Sequence, residues 1–116
     1  MDRNYFPVIF YRTDPGNEPV REWLKSLTTQ ERKIIGEDIK TAQFGWPLGM
    51  PLIKKIEPGL WEVRSRLVNK IARLIFTVLE ERIILLHGFI KKSQKLPIED
   101  LRLARQRLND IKGGNK

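Results

Sequence analysis

Apolar positions recur along this chain with two different periods. Tyr5 to Arg12 is an aromatic and β-branched run closed by Asp14-Pro15-Gly16, which predicts a strand ending in a turn, with Pro7 at its start or on an edge. Val20, Trp23, Leu24 and Leu27 then follow at the i, i+3, i+4, i+7 spacing of one helical face, behind Asn17 as N-cap and Pro19 in the first turn. A helix of roughly ten residues is expected there. Thr28-x-x-Glu31 is a capping-box pattern opening a second helix, with Ile35, Ile39 and Ala42 on one face and a stop at Phe44-Gly45-Trp46-Pro47. The prolines and glycines between Trp46 and Pro51 predict a loop.

After that loop the period falls to two. Leu60–Leu67 alternates, placing Trp61, Val63 and Leu67 on one face and Glu62, Arg64 and Arg66 on the other. Ile71–Leu79 reads as a strand, Glu80-Glu81 as a short turn, and the apolar run around His87 as the second strand of an antiparallel hairpin. Pro97 opens a last helix with Ile98, Leu101, Leu108 and Ile111 at core spacing, and residues 112–116 form a flexible tail. The predicted order is β-α-α-β-β-β-α: a single α+β domain over residues 1–116, its helices packed on one face of a small, largely antiparallel sheet.

Strand parity gathers polar groups on the other face. With Ala72, Leu74, Phe76 and Val78 turned to the helices, Arg73, Ile75 and Thr77 join Arg64 and Arg66. Placing Ile84, Leu86, Gly88 and Ile90 on the covered side brings His87, Phe89 and Lys91 to the same surface. Lys54, Lys55, Lys92 and Lys95 are expected on loops around it.

Composition narrows what that surface can do. The chain has 116 residues, enough for one modest core, and no cysteine, which removes disulfides and thiolate chemistry. With one histidine, neither a metal site nor a cofactor is expected. The start of the chain lacks a signal pattern and no apolar run approaches the ~20 residues of a membrane span, so a cytoplasmic location without membrane contact is the expectation. The net charge is +8, and it is uneven: residues 1–45 hold seven Lys/Arg and seven Asp/Glu, residues 46–116 fifteen and seven. A basic half of this kind suits a phosphate backbone, and equally a solvated basic surface.

Cleavage of RNA would fit these groups. A 2′-hydroxyl can attack its neighbouring phosphate if His87 moves a proton as base or acid and arginines, whose planar forks match phosphate oxygens, stabilise the charge. The alternatives are a packed structural histidine, arginines that solvate an exposed strand face, and lysines that bind phosphate without chemistry.

Asn17-Glu18-Pro19-Val20, Ile53-Lys54-Lys55-Ile56 ahead of Leu60-Trp61-Glu62-Val63-Arg64, and Ala72-Arg73-Leu74-Ile75-Phe76 also carry a resemblance. Its most specific part is Leu85-Leu86-His87-Gly88-Phe89-Ile90-Lys91-Lys92-Ser93-Gln94-Lys95, followed by Pro97 and Ala104-x-x-Arg107. From about Tyr5 to Lys112 the chain resembles HigB-type toxins of the RelE/ParE superfamily, the phage-derived Gp-like group. The resemblance implies a RelE-like microbial RNase fold and the toxin of a type II toxin-antitoxin system. Such a toxin is a metal-independent endoribonuclease that cuts mRNA, usually on the ribosome. It is silenced by a helix-turn-helix antitoxin and reaches operator DNA only through it. The resemblance further implies Arg73 at the scissile phosphate, acid/base and phosphate-binding groups at His87, Lys91 and Lys92, and a basic pair at Lys54 and Lys55. Leu96 stands where related sequences often carry a Thr N-cap. The ParE branch of the superfamily inhibits DNA gyrase instead, and a homologue that only binds nucleic acid with its antitoxin is a third possibility.

Overall fold

A computed structural model of the chain describes residues 5–47, 52–91 and 97–113. The elements run β1 (Val8–Phe10), α1 (Pro19–Lys25), α2 (Thr29–Gly45), β2 (Ile53–Glu57), β3 (Leu60–Leu67), β4 (Lys70–Leu79), β5 (Arg82–Lys91) and α3 (Ile98–Ile111). The five strands form one sheet in the order β1-β5-β4-β3-β2, antiparallel except where β1 joins β5 in parallel.

Local chemistry accounts for most of these boundaries. The capping box at α2 is complete: Thr28 Oγ1 accepts from Glu31 N–H and the Glu31 carboxylate accepts from Thr28 N–H, both at 3.1 Å. Helix α1 starts one residue later than expected, with Glu18 as its uncapped first flank, because Asn17 is held in the preceding turn by Thr13 through both backbone and hydroxyl. The β4–β5 hairpin closes on Glu80 and Glu81 as expected, both at positive φ. Strand β2 is an addition to the predicted order. Lys54, Lys55 and Glu57 leave it little apolar character, yet it needs one partner only, and lysines are normal on an edge strand.

Two clusters of apolar side chains lie on opposite sides of the sheet. Val63, Leu74, Phe76, Ile83 and Leu85 pack under α1 and α2 with Val20, Ile35 and Ala42. Leu60, Ile75, Ile84 and Leu86 pack with Ala104 and Leu108 of α3. The expectation of helices on one face therefore holds for α1 and α2 and fails for α3, which crosses the other. Ile98, expected at core spacing, is 80% exposed at the start of α3.

A β-bulge explains a second departure. Ile75 pairs with His87 but Phe76 pairs with Leu85, so Leu86 has no partner and the side-chain alternation of β5 resets there. Ile83 and Leu85 face α1 and α2 before the bulge, and Gly88 and Ile90 do so after it. Ile84 and Leu86 accordingly lie under α3, opposite to their expected side. Gly88 and Ile90 are where parity put them, and a Cβ on Gly88 would sit 2.4 Å from the Trp23 ring.

Candidate functional site

The face crossed by α3 changes character along the strands. Its rungs can be followed through the ladder register: Leu60, Thr77 and Ile84 lie under α3; then come Lys54, Glu62, Ile75 and His87; then Arg64, Arg73 and Phe89; then Arg66, Ile71 and Lys91. Residues directly opposite in a ladder share a face, so this register brings Arg64, Arg73 and Lys91 together as parity predicted, and β2 adds Lys54, which was expected on a loop.

At the centre of these cations is a residue that the alternation placed on an exposed face. Glu62 is only 1% exposed, and both of its oxygens accept from Arg73 Nη1, at 3.0 and 3.2 Å. Arg64 Nε stands 3.8 Å from the same carboxylate. Arg73 and Lys91 are each 4% exposed, and Arg73 Nε and Lys91 Nζ have no hydrogen-bond partner among the described residues. Burial lowers the Lys91 pKa from the ordinary lysine value, Arg73 lowers it further, and Glu62 acts in the opposite sense. One carboxylate thus faces four cations, and two buried donors stay unfilled. Buried donors are normally paired, so such a group calls for an anion.

Lys55 pairs with Trp61, which turns it to the opposite face from Lys54. Arg66 is exposed and, with Arg64, Leu52, Ile34 and Asp38, lines a concavity of about 310 Å³ beside α2. Lys92 and Lys95 lie outside the described residues.

His87 sits at the seam between the apolar and ionic parts of the face, and both its nitrogens are engaged. Nε2 is 2.5 Å from Asp100 Oδ1 in the first turn of α3, and Nδ1 is 3.4 Å from Arg107 Nη1. Arg107 Nη1 also donates to Leu86 O at 2.8 Å, at the residue that the bulge leaves unpaired. The His87 ring stacks on Phe89 at 5.5 Å between centroids. Two further contacts hold α3 across the sheet: Arg105 grips Glu57 of β2 through two bonds of 3.0 and 2.7 Å, and Tyr11 O–H donates to Asp110 at 2.9 Å. The Arg105 bonds hold the Glu57 carboxyl below its usual range, while burial and Asp110 raise the Tyr11 phenol.

Sequence reasoning missed Glu62 and the α3 partners Asp100 and Arg107. Glu62 had a visible signal, since it is one acid amid Arg64, Arg66 and Arg73 on the same face of β3 and β4. Asp100 and Arg107 gave none, because their role depends on α3 crossing this side of the sheet. Among the described residues no three His, Cys, Asp or Glu converge as metal ligands, and no helix is long and apolar enough to cross a membrane.

Comparison with known proteins adds one positive finding. The model of the family described as phage derived protein Gp49-like (DUF891) matches residues 22–109, which includes every strand of the cationic face and most of α3. No curated protein matches the chain.

Proposed function

This chain belongs to the Gp49-like family of phage-derived proteins, RelE/toxin-like proteins that are often the toxins of toxin-antitoxin systems, and from that premise we propose that it is a HigB-type toxin that cleaves mRNA. The observation that carries this reading is the pair of buried cations, Arg73 and Lys91, with unfilled donors beside a single carboxylate. An RNA phosphodiester supplies the missing anion. Arg73 and Arg64 take its non-bridging oxygens as the 2′-hydroxyl attacks phosphorus and gives its proton to water. Lys91 donates a proton to the departing 5′-oxygen, a task for which a lowered lysine pKa is suited. Lys54 and Arg66, with Lys92 and Lys95, hold neighbouring phosphates. His87 then serves by seating α3 and Phe89, since neither ring nitrogen is free for substrate. The ribosome is the proposed setting for cleavage and a helix-turn-helix antitoxin the proposed partner.

Purified protein incubated with mRNA, as free RNA in EDTA and on ribosomes in magnesium buffer, tests the reading. Discrete new 5′ ends are expected, with Arg64→Ala and Lys91→Met slower by about a hundredfold or more. RNA left intact under both conditions would overturn it.

The engagement of both His87 nitrogens, which takes the imidazole out of proton transfer, also favours a second reading without cleavage, a protein-binding inhibitor of DNA gyrase. In that case the protein reduces supercoiling by purified gyrase and leaves RNA whole.

A further inference from the structure

Glu62 has no part in the phosphate grip or proton transfer just described, yet it is the most buried charged group on the cationic face. Taking a carboxylate out of water is costly unless it is paired, and here both oxygens converge on one nitrogen, Arg73 Nη1. That contact fixes a single end of the guanidinium. Nε, on the other side of the fork, is buried and without a partner among the described residues. The arrangement is lopsided in charge as well. Lys91 is faced by Arg73 from β4, Arg64 and Glu62 from β3, and Lys54 from β2, and Glu62 is the one negative group among them.

We propose that Glu62 is the positioning residue of this site: it holds Arg73 by Nη1, so that Nε is left for a phosphate oxygen, and keeps Lys91 in its ammonium form among three other cations. The role rests on the nuclease reading for its consequence in catalysis but not for its effect on Lys91. Removing the Glu62 charge while keeping its shape, as in Glu62→Gln, leaves Lys91 with like charges only, and the ammonium is disfavoured further. Arg73 loses its charged anchor and with it a fixed direction of approach.

NMR titration of the full chain carrying ¹³C-labelled lysine reads the first effect directly, with the Lys91 signal identified by its loss in Lys91→Met. The Lys91 midpoint is expected to move to lower pH in Glu62→Gln, and by less in Glu62→Asp, which keeps the charge on a shorter arm. An unmoved midpoint in folded Glu62→Gln would overturn the proposal. If Glu62→Gln does not fold, Glu62→Asp decides by the same criterion. In RNA cleavage, Glu62→Gln is expected to lower kcat by about ten- to hundredfold with little change in KM, because the reacting groups are misplaced rather than lost. Its alkaline limb should move to lower pH in step with Lys91. A wild-type protein that cuts no RNA would sink the nuclease reading and leave the titration to decide the role of Glu62.

Discussion

The two faces of the sheet are built from the same strands and solve different problems. Under α1 and α2 the side chains of β3, β4 and β5 are mostly hydrocarbon and aromatic, with Phe76 stacked on Trp61 and edge-on to Trp46, and the buried Ser65 and the Lys70–Glu31 ion pair are polar groups among them. Under α3 the face is apolar for half its length only, and beyond His87 it becomes a buried ionic group with unfilled donors. The first face gains stability by excluding water. The second gives some of that up, since a buried cation without a partner is destabilising and a substrate anion would relieve it. The fold can carry such a site because α3, strapped by Glu57, His87 and Tyr11, covers only part of that side.

The sharpest way to break the apolar face is Gly88→Ala. Its new Cβ would lie 2.4 Å from two carbons of the Trp23 ring, so helix α1 or the ring must shift. A loss of about 3 kcal/mol in urea unfolding is expected, at the upper end for overpacking. An unchanged midpoint would mean that α1 is held far more loosely than this packing implies.

The seam responds less. His87→Ala removes the Asp100 contact and the stack on Phe89 but leaves Arg107 bound to Leu86 O, so a loss of about 1–2 kcal/mol is expected. A double-mutant cycle with Asp100→Ala should show that the two side chains are coupled. If His87→Ala instead unfolds like the wild type while RNA cleavage disappears, the imidazole belongs to the chemistry and not to the strap.

These two sites show where the sequence was legible. The alternation of β3 and β4, the capping box of α2 and the hairpin turn at Glu80-Glu81 are local patterns, and each appears where the residues predict it. The gathering of Arg64, Arg73 and Lys91 was also legible, because ladder neighbours follow from parity alone. What escaped depends on a bulge and on a helix crossing. Nothing in Ile84-Leu86 marks the point where alternation resets, since both faces of β5 are apolar there. Edge strand β2 was hidden by its lysines, and the burial of Glu62 by arginines that made its face look solvated.

The smallest expected effect has the opposite sign and bears most directly on the comparison. Lys91→Met keeps the length of the side chain and removes an ammonium buried without a hydrogen-bond partner. The thermal midpoint at neutral pH should rise by a few degrees, even though the proposed RNA cleavage is lost. The pH dependence distinguishes this cause from a generic gain in packing. Burial places the folded-state pKa of Lys91 below its ordinary value of 10.5. Below the folded-state pKa both folded and unfolded chains carry the proton, and the penalty stands in full. Between that pKa and 10.5 the folded chain has released the proton and the unfolded chain has not, so wild-type stability rises with pH through this window. The advantage of Lys91→Met over wild type should therefore shrink as the pH is raised through it, other titrating groups being common to both proteins. An advantage that is constant with pH would place the gain in hydrocarbon packing, and the two faces would then differ less than their charges imply.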